Sequence, residues 1–443
     1  MKKLIRHLPS WILSCLSVRR SRDCVRAMLS AENRGFSSTT SQLLIDVSVI
    51  YQGDARTGIQ RVVRALLLQL LKAPPEGYRV CPVFSTRQHG YHYAACDFLD
   101  QPEHISNTMH RPVQVKKGDL FLALDLAAHL LPRHKSEVLR WKKIGVKIHV
   151  LVYDLLPLLH PEWFNSKTAL NFKHWIRWIA VYSDNAICIS QTVKVELGTW
   201  LNARFGLRSA DLMTSTIVLG ADIDASAPSR GLPPHSGALL DLLRIAPSVL
   251  MVGTLEPRKG YDQALAAFEI LWHTDCSAPT LVIVGRPGWK TEALQTKLRN
   301  HPEAGKRLFW LEEVSDEYLT HLYIACGGVL VASRAEGFGL PLIEATRHNK
   351  PILARDIPVF REFHMAGLHY FNSDTSLGLA TSLSAWIKNR SKPENPSPTF
   401  PTWDLSAAQL LHCLGLQNHL SSFSKNERKI INKNPHHPTA FQQ

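Results

Sequence analysis

Two segments carry the residue types that could hold a diphosphate and a sugar. In residues 331–344 (VASRAEGFGLPLIE), Glu336 and Glu344 stand eight positions apart around Phe338, Gly339, Leu340 and Pro341. An apolar run ending near Ala332, a glycine-punctuated loop and a proline where a first helical turn tolerates one read as strand, loop and helix. The N–H groups of Gly339 and Leu340 at such a helix start suit an anion, and carboxylates suit sugar hydroxyls. Taken alone, this pattern also fits a tight turn with two solvated glutamates. The second segment, residues 252–260 (VGTLEPRKG), again follows a strand and precedes a helix. Arg258 offers a planar fork and Lys259 a point charge to the same diphosphate, from across a cleft. A solvated charged loop explains either cation alone, but two such loops in one α/β half are less common.

The elements that must position these loops alternate along the chain. Apolar runs at 43–47, 120–124, 147–152 and 185–189 read as buried strands, with helices at 58–71, 136–143 and 166–183. The rhythm restarts after a Pro/Ser/Gly-rich linker at 225–237. Strands follow at 248–252, 280–284, 307–311 and 328–332, and helices at 261–272 and 290–300. Continuous apolar strands alternating with helices predict parallel sheets covered on both faces. In such sheets ligands bind outside the carboxyl ends of the strands, where both loops lie. The expected organisation is a basic extension (1–40), two α/β halves (41–225 and 226–395), a Pro-rich link at 392–401, a short final helix within 396–420 and a disordered tail (421–443).

Composition narrows the partners. The 443 residues are 45% hydrophobic and 20% charged, as expected of a folded globular chain. No run reaches the ~18 apolar residues of a spanning helix; residues 8–18 come nearest and contain a proline. Eight cysteines without C-x-x-C spacing fit a reducing cytosol. A net charge of +14 favours phosphates, which nucleic acid, an anionic membrane surface or a phosphorylated small molecule would each supply. No nucleic-acid-binding signature supports the first. Residues 1–40 hold eight Lys and Arg against Asp23 and Glu32. They read as an amphipathic helix on anionic lipid, a loose extension or a transit peptide. Asp222-Ile223-Asp224 has no His cluster beside it and reads as a solvated turn, so no metal site is expected.

The order VGTLEPRKG, LVIVGRPGW, SRAEGFGLPLIEA resembles the retaining glycosyltransferases of the GT-B fold, family 4, that build bacterial surface polysaccharides. IDVSVIYQGDARTGIQRVVRALL, VYDLLPLLHPEWF, ICISQTVKVEL, VLGADI and TWDLSAAQLL resemble its polysaccharide mannosyltransferase-type members, so the likeness covers about residues 43–416. It implies two Rossmann-like domains facing across a cleft, with a nucleotide-sugar held mainly by the C-terminal one. Glu336 would then accept from donor-sugar hydroxyls, Phe338 to Leu340 would offer N–H groups, and Glu344 would bind the ribose. Arg258 and Lys259 would neutralise the leaving diphosphate, and Gly58 would belong to a glycine loop closing over it, with Arg61 adding charge or standing solvated.

The chain departs from the pattern at Thr254, where many members have Arg, and at Tyr153, where many have His. The sugar-facing role then passes to Asp154 or is lost; a Tyr-Asp pair at a strand end is otherwise an ordinary capping arrangement. His160 reads as structural. The resemblance implies retention of configuration, no metal or cofactor, GDP-mannose as the favoured donor and a polyprenyl-diphosphate-linked saccharide as acceptor at the inner membrane face. A GT-B epimerase or phosphorylase, or a catalytically degenerate assembly partner, shares the architecture. A dehydrogenase fits poorly, because Pro287 stands where G-x-G-x-x-G needs a glycine.

Overall fold

The computed structural model describes residues 10–30, 40–55, 57–95, 98–99, 111–220, 222, 228–234, 236–275, 277–363, 365, 367–389 and 401–416. The expected tail at 421–443, most of the link at 392–401, and Asp224 lie outside them. The chain forms two compact units: one from the N-terminus to Leu158 plus Lys167–Gly220 and the residues from Pro401, the other Leu159–Ser166 plus Ala221–Phe400.

In the first unit, β1 (Ser41–Asp46), β2 (Tyr78–Phe84), β3 (His92–Tyr93), β4 (Leu120–Ala123), β5 (Lys147–Val152), β6 (Asn185–Cys188) and β7 (Met213–Thr216) make one sheet. Its order is β3-β2-β1-β4-β5-β6-β7. Every pairing is parallel except β2 with β3. β1 and β4 are buried along almost their whole length, which is why their residues read as unbroken apolar runs. The helix Gly58–Lys72 starts at a reciprocal capping box between Thr57 and Gln60, which supplies two of its orphan donors.

Residues 10–30 are not a loose extension. They form the helix Ser10–Ser30, with Val18, Arg22 and Val25 buried in the first unit. Three of its four arginines are spent internally: Arg19 donates to Gly206 O, and Arg22 to Ala180 O and Asp211 O. Arg26 also donates to Asp211 O, at 2.9 Å. Gly206 caps the helix Gln191–Phe205 and Ala180 lies in the last turn of Ser166–Tyr182, so these guanidiniums meet carbonyls that helix ends leave unsatisfied. The helix Trp403–Cys413 also joins this unit. Gln409 Oε1 accepts from Val218 N at 2.8 Å, and Cys413 O from Asn185 Nδ2 at 3.0 Å. A Cβ added to Gly220 would come within 2.4 Å of Trp403 N.

In the second unit, β8 (Ser248–Val252), β9 (Thr280–Val284), β10 (Leu308–Leu311), β11 (Val329–Val331), β12 (Ile352–Arg355) and β13 (Leu368–Phe371) form an all-parallel sheet ordered β10-β9-β8-β11-β12-β13. The winding direction reverses between β8 and β11, as it does between β1 and β4. Each unit therefore has a switch point where the loops after two neighbouring strands diverge and leave a crevice.

His149 in β5 is buried, and neither ring nitrogen has a hydrogen-bond partner among the described residues. Burial holds its imidazole down to about 4. The unfolded chain, titrating near 6.5, takes up the proton first, so stability falls as pH drops through that window. Unfolding in urea should show about 2 kcal/mol less stability at pH 5 than at pH 7 from this residue. The substitution His149→Leu should remove that part of the pH dependence; an unchanged slope would refute the assignment.

Candidate active site

β8 and β11 are hydrogen-bonded neighbours, with Leu250 N donating to Gly328 O, so the loops leaving them run side by side. Pro257 opens a 3-10 turn, Pro257–Lys259, that carries both cations. Gly260 ends the turn at φ +71, and a Cβ there would stand 2.4 Å from Ala332 O of the neighbouring loop. Only glycine allows that approach. Arg334 N then donates to Arg258 O at 2.7 Å, tying the loops together.

Across this seam the side chains form one cluster. Glu336, 9% exposed, pairs through Oε2 with Arg258 and through Oε1 with Lys259. Ser333 Oγ donates to Oε1 at 2.8 Å. Arg258 Nε donates to Glu256 Oε2 at 2.7 Å, and its Nη1 reaches Ala335 O at 3.3 Å. Burial pushes the Glu336 carboxyl up, but Arg258 and Lys259 outweigh it and bring it down to about 2. Two carboxylates and two cations balance, so each cation is held in place by its partners. The cations and Glu336 belong to the same unit and pair directly.

The helix Leu340–Arg347 starts next to this cluster. Gly339 is its N-cap at φ +117 with no side-chain cap bond, packed so closely that a Cβ would lie 2.7 Å from Phe360 Cε1. Phe338 is buried edge-on to Phe363, with ring centroids 5.2 Å apart. The loop that carries the expected N–H donors is thus clamped by two phenylalanines. Neither glutamate is solvated. Glu344 is 4% exposed, and Tyr323 Oη donates to its Oε2 at 2.7 Å. Thr254 is half-buried just past β8, where Leu255 N donates to Arg286 O at 3.0 Å.

The other predicted site residues lie in the first unit. Gly58 is the exposed first residue of Gly58–Lys72; Gln60 Nε2 donates to Gly53 O at 2.8 Å, and Asp54 pairs with Arg64, so its loop is held at both ends. Arg61 follows on the first turn. Asp154 Oδ1 caps Leu156 N at 3.1 Å, and buried Tyr153 donates to Leu124 O at 2.8 Å, the capping arrangement. His160, in the Leu159–Ser166 piece of the second unit, stacks on Trp163, with centroids 4.0 Å apart.

Sequence reasoning missed Ser333 and Glu256, although both lie within two or three residues of predicted ones. It also missed a buried network at the first unit's switch point. Asp46 accepts from Ser48 and Tyr91, and Asp125 Oδ2 from Val49 N and Ile50 N at 2.7 and 2.8 Å. Burial raises Asp125 to about 7. The signal was a lone Asp at the end of each of two apolar strands. Among the described residues no three His, Cys, Asp or Glu converge as metal ligands.

Residues 246–398 match the family described as glycosyl transferases group 1. The chain is 39% identical to the serotype-specific mannosyltransferase WbdA of Escherichia coli over 384 residues, 85% of this chain and 47% of that protein. It thus spans about half the length of the curated relatives it matches. It is also 29% identical over 149 residues to the E. coli O-antigen chain mannosyltransferase B, covering 33% of this chain and 37% of that one. Among solved structures, Anabaena HepE in complex with UDP-glucose superposes with a TM-score of 0.54 at 18% identity, over 88% of this chain and 98% of that one. The N-terminal domain of Candida albicans trehalose-6-phosphate phosphatase gives 0.56 at 12%, over 87% and 98%. These likenesses show the GT-B fold.

Removing the carboxylate tests the cluster. Glu336→Ala leaves two half-buried cations without their shared counter-ion and should cost about 3–5 kcal/mol in chemical denaturation. The isosteric Glu336→Gln should cost less, and equal, negligible losses would contradict a bonded cluster.

Proposed function

We propose, from the match of residues 246–398 to the group 1 glycosyl transferases, that the chain transfers a hexose, mannose favoured, from a nucleoside-diphosphate sugar onto a saccharide of surface-polysaccharide synthesis. The observation that carries this reading is the Arg258–Lys259–Glu336 cluster at the carboxyl ends of β8 and β11. In the reaction, the bond from sugar C1 to the β-phosphate oxygen breaks with its electron pair going to the diphosphate. The acceptor oxygen bonds to C1 from the same face, and its proton passes to the departing diphosphate, so configuration is retained without an enzymic nucleophile.

As the sugar becomes oxocarbenium-like, charge accumulates on the leaving oxygen. Arg258 and Lys259 stabilise it more in the transition state than in the ground state, because they are already oriented. Glu336, ionised and fixed, accepts from the sugar hydroxyls, and the N–H groups of Phe338, Gly339 and Leu340 surround sugar and phosphate. Glu344, oriented by Tyr323, takes the ribose. Thr254 borders the donor. The arrangement calls for no metal or other cofactor.

GDP-mannose is the favoured donor, in keeping with relatives named as mannosyltransferases, and a polyprenyl-diphosphate-linked saccharide is the acceptor. Among the described residues no helix is long and apolar enough to cross a membrane; in this reading the acceptor is met by peripheral contact at the inner membrane face.

Radiolabelled GDP-mannose incubated with membrane lipid extract should give labelled lipid-linked saccharide, and Lys259→Ala and Glu336→Ala should each lower kcat/KM by about 100-fold or more. Unchanged transfer in both would overturn the site. Because Glu336 titrates near 2, the rate lost in Glu336→Gln should be uniform from pH 5 to 9; a loss confined to one pH limb would contradict its permanent ionisation.

A further inference from the structure

The second unit contains a cavity of about 450 Å³ that borders the cluster without including Arg258, Lys259 or Glu336. Its volume falls within the ~300–1,000 Å³ typical of small-ligand sites. It opens between the starts of the helices Tyr261–Thr274 and Glu292–Arg299, and its charged lining is Glu256, Asp262, Glu292, Lys290, Lys297 and Arg334. Three carboxylates face three cations, and Asp262 and Glu292 lie in the first turns of the two helices, where they already meet the positive helix ends. An anion would gain little net charge here. A neutral ligand dense in hydroxyls, each able to donate to a carboxylate and accept from an ammonium or guanidinium, matches the lining on every side.

The loop beside the cavity is built to present a ring face. Lys290 lies at φ +56, one of two non-glycine residues with positive φ among those described. Such a conformation persists only where its surroundings hold it, and here they do. Lys290 Nζ donates to Glu162 O at 2.7 Å, and the neighbouring Trp289 Nε1 to Trp163 O at 2.8 Å. Phe164 packs against Trp289 with ring centroids 5.8 Å apart. The indole N–H is thus spent on the backbone, while Trp289 remains 37% exposed. An exposed, immobilised aromatic face beside paired polar groups suits the C–H face of a pyranose. Five of the six charged side chains already have protein partners: Arg334 and Asp262 pair with each other, Lys297 with Glu269, Glu256 with Arg258 and Lys290 with Glu162 O. The Glu292 carboxylate has none among the described residues.

We propose that this cavity, with Trp289 beside it, is an accessory saccharide site that holds a segment of the acceptor glycan away from the reacting hydroxyl. The inference rests on the transferase reading above and deepens it by naming where the second unit grips a sugar chain.

Titration of the full chain with α-linked mannotriose, followed by calorimetry and saturation-transfer NMR, tests it. Wild type should bind. Trp289→Ala and Glu292→Ala should each weaken binding at least tenfold, and Trp289→Phe, which keeps the ring face without the N–H, should bind within about threefold of wild type. Circular dichroism of each variant separates loss of binding from loss of fold, and Glu292→Ala, at an exposed position, keeps the test open if Trp289→Ala fails to fold. Unweakened binding in both alanine variants, no binding by wild type, or displacement of mannotriose by millimolar inorganic phosphate would each overturn the site. Mannosyl transfer to a monosaccharide acceptor, measured in parallel, distinguishes the failures. A wild type that transfers but does not bind mannotriose defeats only this cavity, whereas one with no donor turnover defeats the transferase reading itself.

Discussion

A buried carboxylate survives in a folded chain only if something compensates its charge, and Glu336 has two cations and a hydroxyl for that purpose. Those partners come from two loops 77 or 78 residues apart in sequence, made adjacent by the pairing of β8 with β11. The second unit's chemistry is therefore inseparable from its strand order. If β11 sat elsewhere in the sheet, Arg258 and Lys259 would be solvated surface charges and Glu336 a buried ion without a partner. Gly260 sits at the same seam, where its missing side chain lets one loop lie against the other.

Much of this was legible in the sequence because parallel strands buried on both faces leave unbroken apolar runs. β5, β8 and β9 begin and end where those runs do. β2 escaped because Pro82 interrupts it, and a proline within a run argues against a strand. Here Pro82 is tolerated, because its carbonyl accepts from Ala94 N and the strand lies one place from the sheet edge. The glutamates were legible as a spacing but not as an environment. Nothing near Glu344 announces that Tyr323, 21 residues earlier, would cover it.

The basic N-terminus shows the opposite limit. Its positive charge reads naturally as an invitation to lipid or phosphate, yet three of its arginines serve carbonyl oxygens of the chain's own helix ends and turns. Composition counts charges; it cannot tell which of them folding will consume. The same holds for Tyr153, whose phenol fastens the end of β5 to Leu124.

The return of the helix Trp403–Cys413 to the first unit has a topological consequence. Gly220, where the chain leaves that unit, lies against Trp403, just past the point where it comes back. Most of the second unit is therefore spliced into its host through two abutting ends, like a cassette in a frame. Exchange of that cassette between related chains would leave the host's own hydrophobic interior undisturbed.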